Sequence, residues 1–281
     1  RWVWVEFLRA REKKEQREPD RSNTLTKEMG VKTKVFGKFA WLMLEGVGRF
    51  YDDYMARETE PLKRVEMMDM VREFFFLVGF VLPCVYCRIS YREFINTDIN
   101  IHQMLILKDG GKQLVYRLHN RVSKKLWDQE RAANAHDEVR LQALNEQWFR
   151  YCIPYEQALK ERFPLTTSHR FWNATLVFLA LSLCDYRTED ACYIYRFFWI
   201  LGRILARVPN PLSAAYAYGL EQTLPLWKQA DLSQKLSLRL DIVWVLKNYV
   251  FAVHRWEFSR TRASFEDQCR EAIVGCGSKK D

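Results

Sequence analysis

Apolar residues return at every third or fourth position along most of this 281-residue chain, and few stretches show the strict alternation of a half-buried strand. That period is satisfied by helices packed through broad apolar stripes, so the fold is expected to be all-α. Between Thr33 and Tyr54, the residues Phe36, Phe39, Ala40, Met43, Val47, Phe50 and Tyr54 fall on one stripe, with Thr33 placed to cap the helix. A second helix is expected from Leu62 to Leu82, apolar nearly all round at its end and therefore central, until Pro83 breaks it. After the turn signal Asp109-Gly110-Gly111, helical spacing resumes from Gln113 to Ala132 with Val115, Leu118, Val122 and Leu126 inward. With 48% apolar residues and only 11 Gly and 8 Pro, the chain has material for one large core or two modest ones.

Composition shifts divide the chain. Residues 1–32 are expected as a charged N-terminal extension, and residues 33–140 as a compact up-and-down bundle of four helices. A polar stretch from Gln129 to Glu146, with Pro154 and Pro164 beyond it, places a boundary near residue 140. Residues 141–260 then form a second helical domain, and residues 261–281 a C-terminal tail. The second half echoes the first. The run from Arg196 to Leu205 parallels Arg72 to Val81, and Arg170 to Leu176 resembles the surroundings of Trp41. Aligned on Gly79 and Gly202, Arg207 and Asn210 stand where Cys84 and Cys87 stand, as in a degenerate repeat. The simpler alternative is that any two apolar helices bearing a glycine look alike.

No apolar run reaches the ~18 residues needed to cross a bilayer, so no membrane span is expected and the protein is read as soluble. The chain opens on Arg1 with no signal-peptide pattern, and a removed upstream segment is one explanation of that start. The formal charge of +9 suits an RNA or phospholipid surface, but the basic residues are spread rather than clustered, which gives RNA contact little support.

The chemistry concentrates at Pro83-Cys84-Val85-Tyr86-Cys87. Two cysteines three apart at a helix start can form and open a disulfide, and a thiol there sees the positive end of the helix dipole and Arg88, both of which favour thiolate. The competing readings are half of a zinc site or two buried core thiols. A zinc site needs a second close pair of ligands. The sequence supplies none, since His102, His119, His136, His169, His254 and the remaining cysteines are scattered, so no metal is expected. A dithiol that cycles must hand two electrons to an electron-poor acceptor, which no protein side chain provides and a flavin does. Gly46-Val47-Gly48 lies within a helical pattern with no preceding strand and is not a dinucleotide fingerprint.

Two further segments frame the cysteines: Gly37-Lys38-Phe39-Ala40-Trp41-Leu42-Met43-Leu44 upstream and His119-Asn120-Arg121-Val122-Ser123-Lys124-Lys125-Leu126 downstream. Over about residues 33–130 the arrangement resembles the Erv/ALR family of FAD-dependent sulfhydryl oxidases, in which a GxxxWxxLH helix, a CxxC and an HNxVNxxL helix enclose the cofactor. The resemblance implies that Trp41 and Tyr51 line the flavin, and that His119, Asn120, Val122 and Lys124 contact its adenine and ribose-phosphate end. It further implies that Cys87 lies against the ring, that Cys84 is the outer, exchanging thiol, and that Tyr91 and Ile95 pack around the cofactor. The sequence departs from the pattern at Glu45, where the family has histidine, and at Ser123, where it has asparagine.

The tail carries Cys269 and, between Gly275 and Gly277, Cys276, a candidate shuttle pair; two unpaired cysteines on one face of a last helix is the alternative. Asn173-Ala174-Thr175 matches a glycosylation acceptor but lies in an apolar helix, and the aromatic clusters at Phe74 to Phe76 and Phe197 to Trp199 read as core. The leading expectation is a thiol oxidase that takes electrons from a dithiol protein substrate and passes them through FAD to oxygen or another acceptor. The alternative is a degenerate bundle kept as a structural subunit, in a homodimer or a larger assembly such as a mitochondrial ribonucleoprotein. A mitochondrial location is expected, with viral and secretory-route settings as alternatives.

Overall fold

The computed structural model describes residues 31, 33–151, 168–184, 191–207, 211–227, 236–252, 261–265 and 267. Every regular element among them is helical. In chain order these are α1 (Thr33–Arg57), α2 (Pro61–Val81), α3 (Val85–Thr97), α4 (Ile101–Ile106), α5 (Gly110–Ala133) and α6 (Glu138–Tyr151). They continue with α7 (Ser168–Cys184), α8 (Ala191–Ala206), α9 (Pro211–Gln222) and α10 (Leu236–Ala252). No helix among the described residues is long and apolar enough to cross a membrane.

Local chemistry sets the breaks. Pro61 opens α2 at a first-turn position, where its missing N–H costs nothing. Leu82, held extended at ψ 128° because Pro83 follows it, ends the same helix. Cys84, extended at φ −159°, then caps α3, and its sulfur accepts the Cys87 N–H at 3.4 Å. Asn100 caps α4 through its Oδ1, which accepts from the Gln103 N–H. Asp109 takes the left-handed conformation at φ 54° just before α5. The first free amides of α5 are satisfied from another helix: Asp52 of α1 accepts the Gly111 and Lys112 N–H groups at 2.8 and 3.0 Å.

The two halves share one core. α1 packs most extensively on α7 and α5, and α2 on α8. Gly46 lies against Phe171, and Gly48 crosses Gly111 so closely that a Cβ at Gly48 would meet the Gly111 carbonyl oxygen at 2.9 Å. The GxG segment is therefore a helix-crossing device. Residues 29–276 fall in one compact unit rather than parting near residue 140.

The α2–α8 contact is antiparallel. Phe74 stacks on Phe197 with centroids 5.0 Å apart, Phe80 on Tyr193 at 4.2 Å, and Arg196 and Arg207 pair with Glu73 and Glu66. Phe74 and Phe197 each lie five residues before the glycine of their half, as do Glu73 and Arg196 at six. Residues that correspond in sequence thus meet each other, the contact pattern of an approximate two-fold axis.

A second pair of contacts follows the same numbering. Tyr91 of α3 packs on Gly79 and donates its hydroxyl to the Phe75 carbonyl at 2.8 Å. Tyr216 of α9 packs on Gly202 and donates to the Phe198 carbonyl at 3.2 Å. Each accepting carbonyl lies four residues before its glycine. Counting from these tyrosines moves the counterparts of Cys84 and Cys87 from Arg207 and Asn210 to Pro209 and Leu212, because the link between the helices is longer in the second half.

Candidate functional site

Cys84 and Cys87 stand at the start of α3, Cys84 as its cap and Cys87 in its first turn. Cys84 is 2% exposed and Cys87 is half-buried, the reverse of the expectation that Cys84 is the outer thiol. Val31, next to this turn, is fully buried, and its N–H donates to the Pro83 carbonyl at 2.8 Å. Arg88 is also buried, and its Nη1 donates to the Leu82 carbonyl at 2.8 Å, so its charge braces the turn as well as standing near the thiols.

One face of α1 leads away from this turn. The Thr33 hydroxyl lies 3.4 Å from the Cys87 sulfur. Gly37, one turn on, is open: among the described residues a Cβ there would find only the Thr33 Cγ2 within 4 Å, at 3.8 Å. Trp41, a further turn on, holds its ring against His119 of α5, centroids 4.7 Å apart at 51°. A thiol at one end, a space at the glycine and two aromatic rings at the other end lie along a single stripe. Glu45 continues it and is buried at 8% exposure.

α3 is close to α2, and α5 is close to α1, but α3 and α5 have little backbone contact and are joined through long side chains. Lys125 reaches Ser90, and Arg121 pairs with Asp98 while lying over the Phe94 ring. In the second half the matching helices α9 and α10 are tightly packed. Three positions beyond Tyr216 stands Gly219, whose absent side chain lets Tyr249 and Leu246 approach; three beyond Tyr91 stands Phe94, whose ring carries the Arg121 guanidinium.

The remaining expected residues divide. Asn120 and Val122 are half-buried on α5 beside His119, whose Nδ1 lies 3.4 Å from the Ser123 hydroxyl. Ser123 thus engages the imidazole from one turn further along the same helix. Lys124 is exposed and paired with Asp128 at 2.8 Å on its own helix. Tyr51 is buried and donates to the Leu105 carbonyl at 2.6 Å, and burial raises its phenol to about 12. Tyr91 is fully buried against α2, and its phenol is likewise raised by desolvation. Both tyrosines have packing roles that tie helices together, while Ile95 is half-buried. Cys269 and Cys276 lie outside the described residues. Thr33 was missed as a site residue because its sequence position reads as a helix cap.

No protein-family model, curated protein or solved structure matches this chain.

Proposed function

We propose that this chain is a flavin-linked thiol oxidase whose redox pair is Cys84 and Cys87. The observation that carries the reading is the stripe on α1: Thr33 against Cys87, open space at Gly37, and Trp41 against His119. The separation of α3 from α5, where the second half is closed, supports the same reading. The residues present fit a flat aromatic cofactor. Trp41 and His119 would together border one side of it, Asn120 and Val122 its far end, and Cys87 would lie near its ring.

A dithiol substrate reduces the Cys84–Cys87 disulfide by thiol–disulfide exchange, leaving a substrate disulfide and two protein thiols. The helix N-terminus and the Cys87 N–H stabilise Cys84 as thiolate. The pair returns to the disulfide by losing two electrons and two protons. A flavin, if bound, would supply the acceptor for these two electrons, with oxygen or another acceptor as their final destination.

Glu45 favours a second reading, a scaffold that has lost its cofactor. It continues the Trp41 stripe, and a buried carboxylate there sets negative charge beside a space meant for an electron-rich group. The visible spectrum of the purified full chain, alone and after incubation with FAD, separates the two. The oxidase reading expects flavin absorbance retained through gel filtration and dithiothreitol-dependent oxygen uptake. Cys87→Ser should keep the colour and abolish the uptake. A colourless protein that retains no added FAD leaves the scaffold.

A further inference from the structure

We infer that Thr33 is a positioning residue for Cys87: its hydroxyl donates to the Cys87 sulfur and favours the thiolate. The inference rests on the redox reading of the cysteine pair, but its test does not pass through a flavin.

Three observations combine. The oxygen–sulfur distance of 3.4 Å is that of a hydrogen bond to sulfur. Thr33 is the first residue of α1, so no carbonyl one turn earlier in its own helix competes for the hydroxyl proton, as would happen for a threonine inside a helix. The chain just before α1 is fixed to the same turn that carries the cysteines, through the Val31 N–H on the Pro83 carbonyl at 2.8 Å. Thr33 is thereby held against α3 at a second, independent point.

The two sulfurs then have separate donors. Cys84 receives the Cys87 backbone N–H, and Cys87 receives the Thr33 hydroxyl. A hydroxyl stabilises a thiolate more than a thiol, because a charge-assisted hydrogen bond is about twice as strong as a neutral one. Deprotonation of Cys87 releases its proton to solvent. The anion is the form that attacks a mixed disulfide at Cys84, forming the Cys84–Cys87 disulfide and releasing the substrate sulfur as thiolate.

The test uses the fully reduced full chain, alkylated with iodoacetamide from pH 5 to 10, with modification of Cys87 followed by tandem mass spectrometry. Thr33→Val keeps the shape and removes the hydroxyl; Thr33→Ser keeps the hydroxyl. The expected result is that Thr33→Val slows Cys87 alkylation at pH 7 about tenfold and moves its pH midpoint up by about one unit. Thr33→Ser should follow the parent protein. A Thr33→Val profile that superimposes on the parent overturns the inference. So does a Thr33→Ser protein as slow as Thr33→Val, which would assign the effect to the lost methyl group. A normal threonine effect in a chain that binds no flavin would leave this inference standing while the oxidase reading fell.

Discussion

Phe74 of α2 stacks on Phe197 of α8 with their planes 22° apart, and each is the sequence counterpart of the other. The bidentate pair of Arg196 with Glu73 lies immediately beside them. A contact in which corresponding residues meet is what a two-fold interface requires, and here it is made within one polypeptide.

Tyr91→Phe and Tyr216→Phe test the duplication. Each leaves a buried carbonyl, of Phe75 or Phe198, without its hydroxyl donor, and should cost about 1–2 kcal/mol by urea titration. The tyrosines serve separate helix pairs, so the double variant should lose the sum to within about 0.5 kcal/mol. A loss at one site with none at the other would show that the two tyrosines are not equivalent.

Gly37 and Gly48 lie on one helix and should respond oppositely. A methyl at Gly37 meets ordinary contact at 3.8 Å, so Gly37→Ala should raise stability slightly through helix propensity, by about 0.5–1 kcal/mol. On the proposed flavin reading, Gly37→Leu should remain folded and lose flavin absorbance, because its side chain fills the open surroundings of Gly37. Gly48→Ala drives a methyl onto the Gly111 backbone and should cost about 1–3 kcal/mol. Circular-dichroism melts and the visible spectrum read the two effects separately.

Asp52 sets a pH dependence. Burial outweighs its two backbone donors and raises its carboxyl from 3.8 to about 6. The folded chain therefore binds a proton more tightly than the unfolded one. The contribution of Asp52 to stability is greatest below about pH 4, falls as pH rises to about 6, and is level above that. Asp52→Asn keeps an acceptor for α5 and carries no charge. Urea midpoints at intervals from pH 4 to 7 should show this fall reduced in the variant; identical slopes would mean that Asp52 titrates normally.

The sequence carried the backbone plan better than the assignments of individual side chains. α1 and α2 were legible because an apolar stripe, Pro61 and Pro83 fix their extents, and the cysteines open α3 as their spacing after Pro83 implied. Burial within a helix depends on what lies beside it. Leu126 matches the inward stripe of α5 yet is 51% exposed. The polar stretch near residue 140 read as a boundary, but the core is shared through α1 with α7 and α2 with α8, contacts between residues far apart in the chain. The roles of Tyr51 and Tyr91 depend on which carbonyl each hydroxyl finds, and a linear sequence does not contain that distance. That Phe94 stands where the other half has Gly219 is a difference that only the matched contacts of Tyr91 and Tyr216 bring out.

The joining of α2 to α8 inside one chain has a consequence for handling the protein. Two separate subunits meeting through such a face would part on dilution, whereas covalent connection keeps the local concentration of one arm around the other constant. Any activity housed in the open half should keep the same specific value from micromolar stocks down to nanomolar assays.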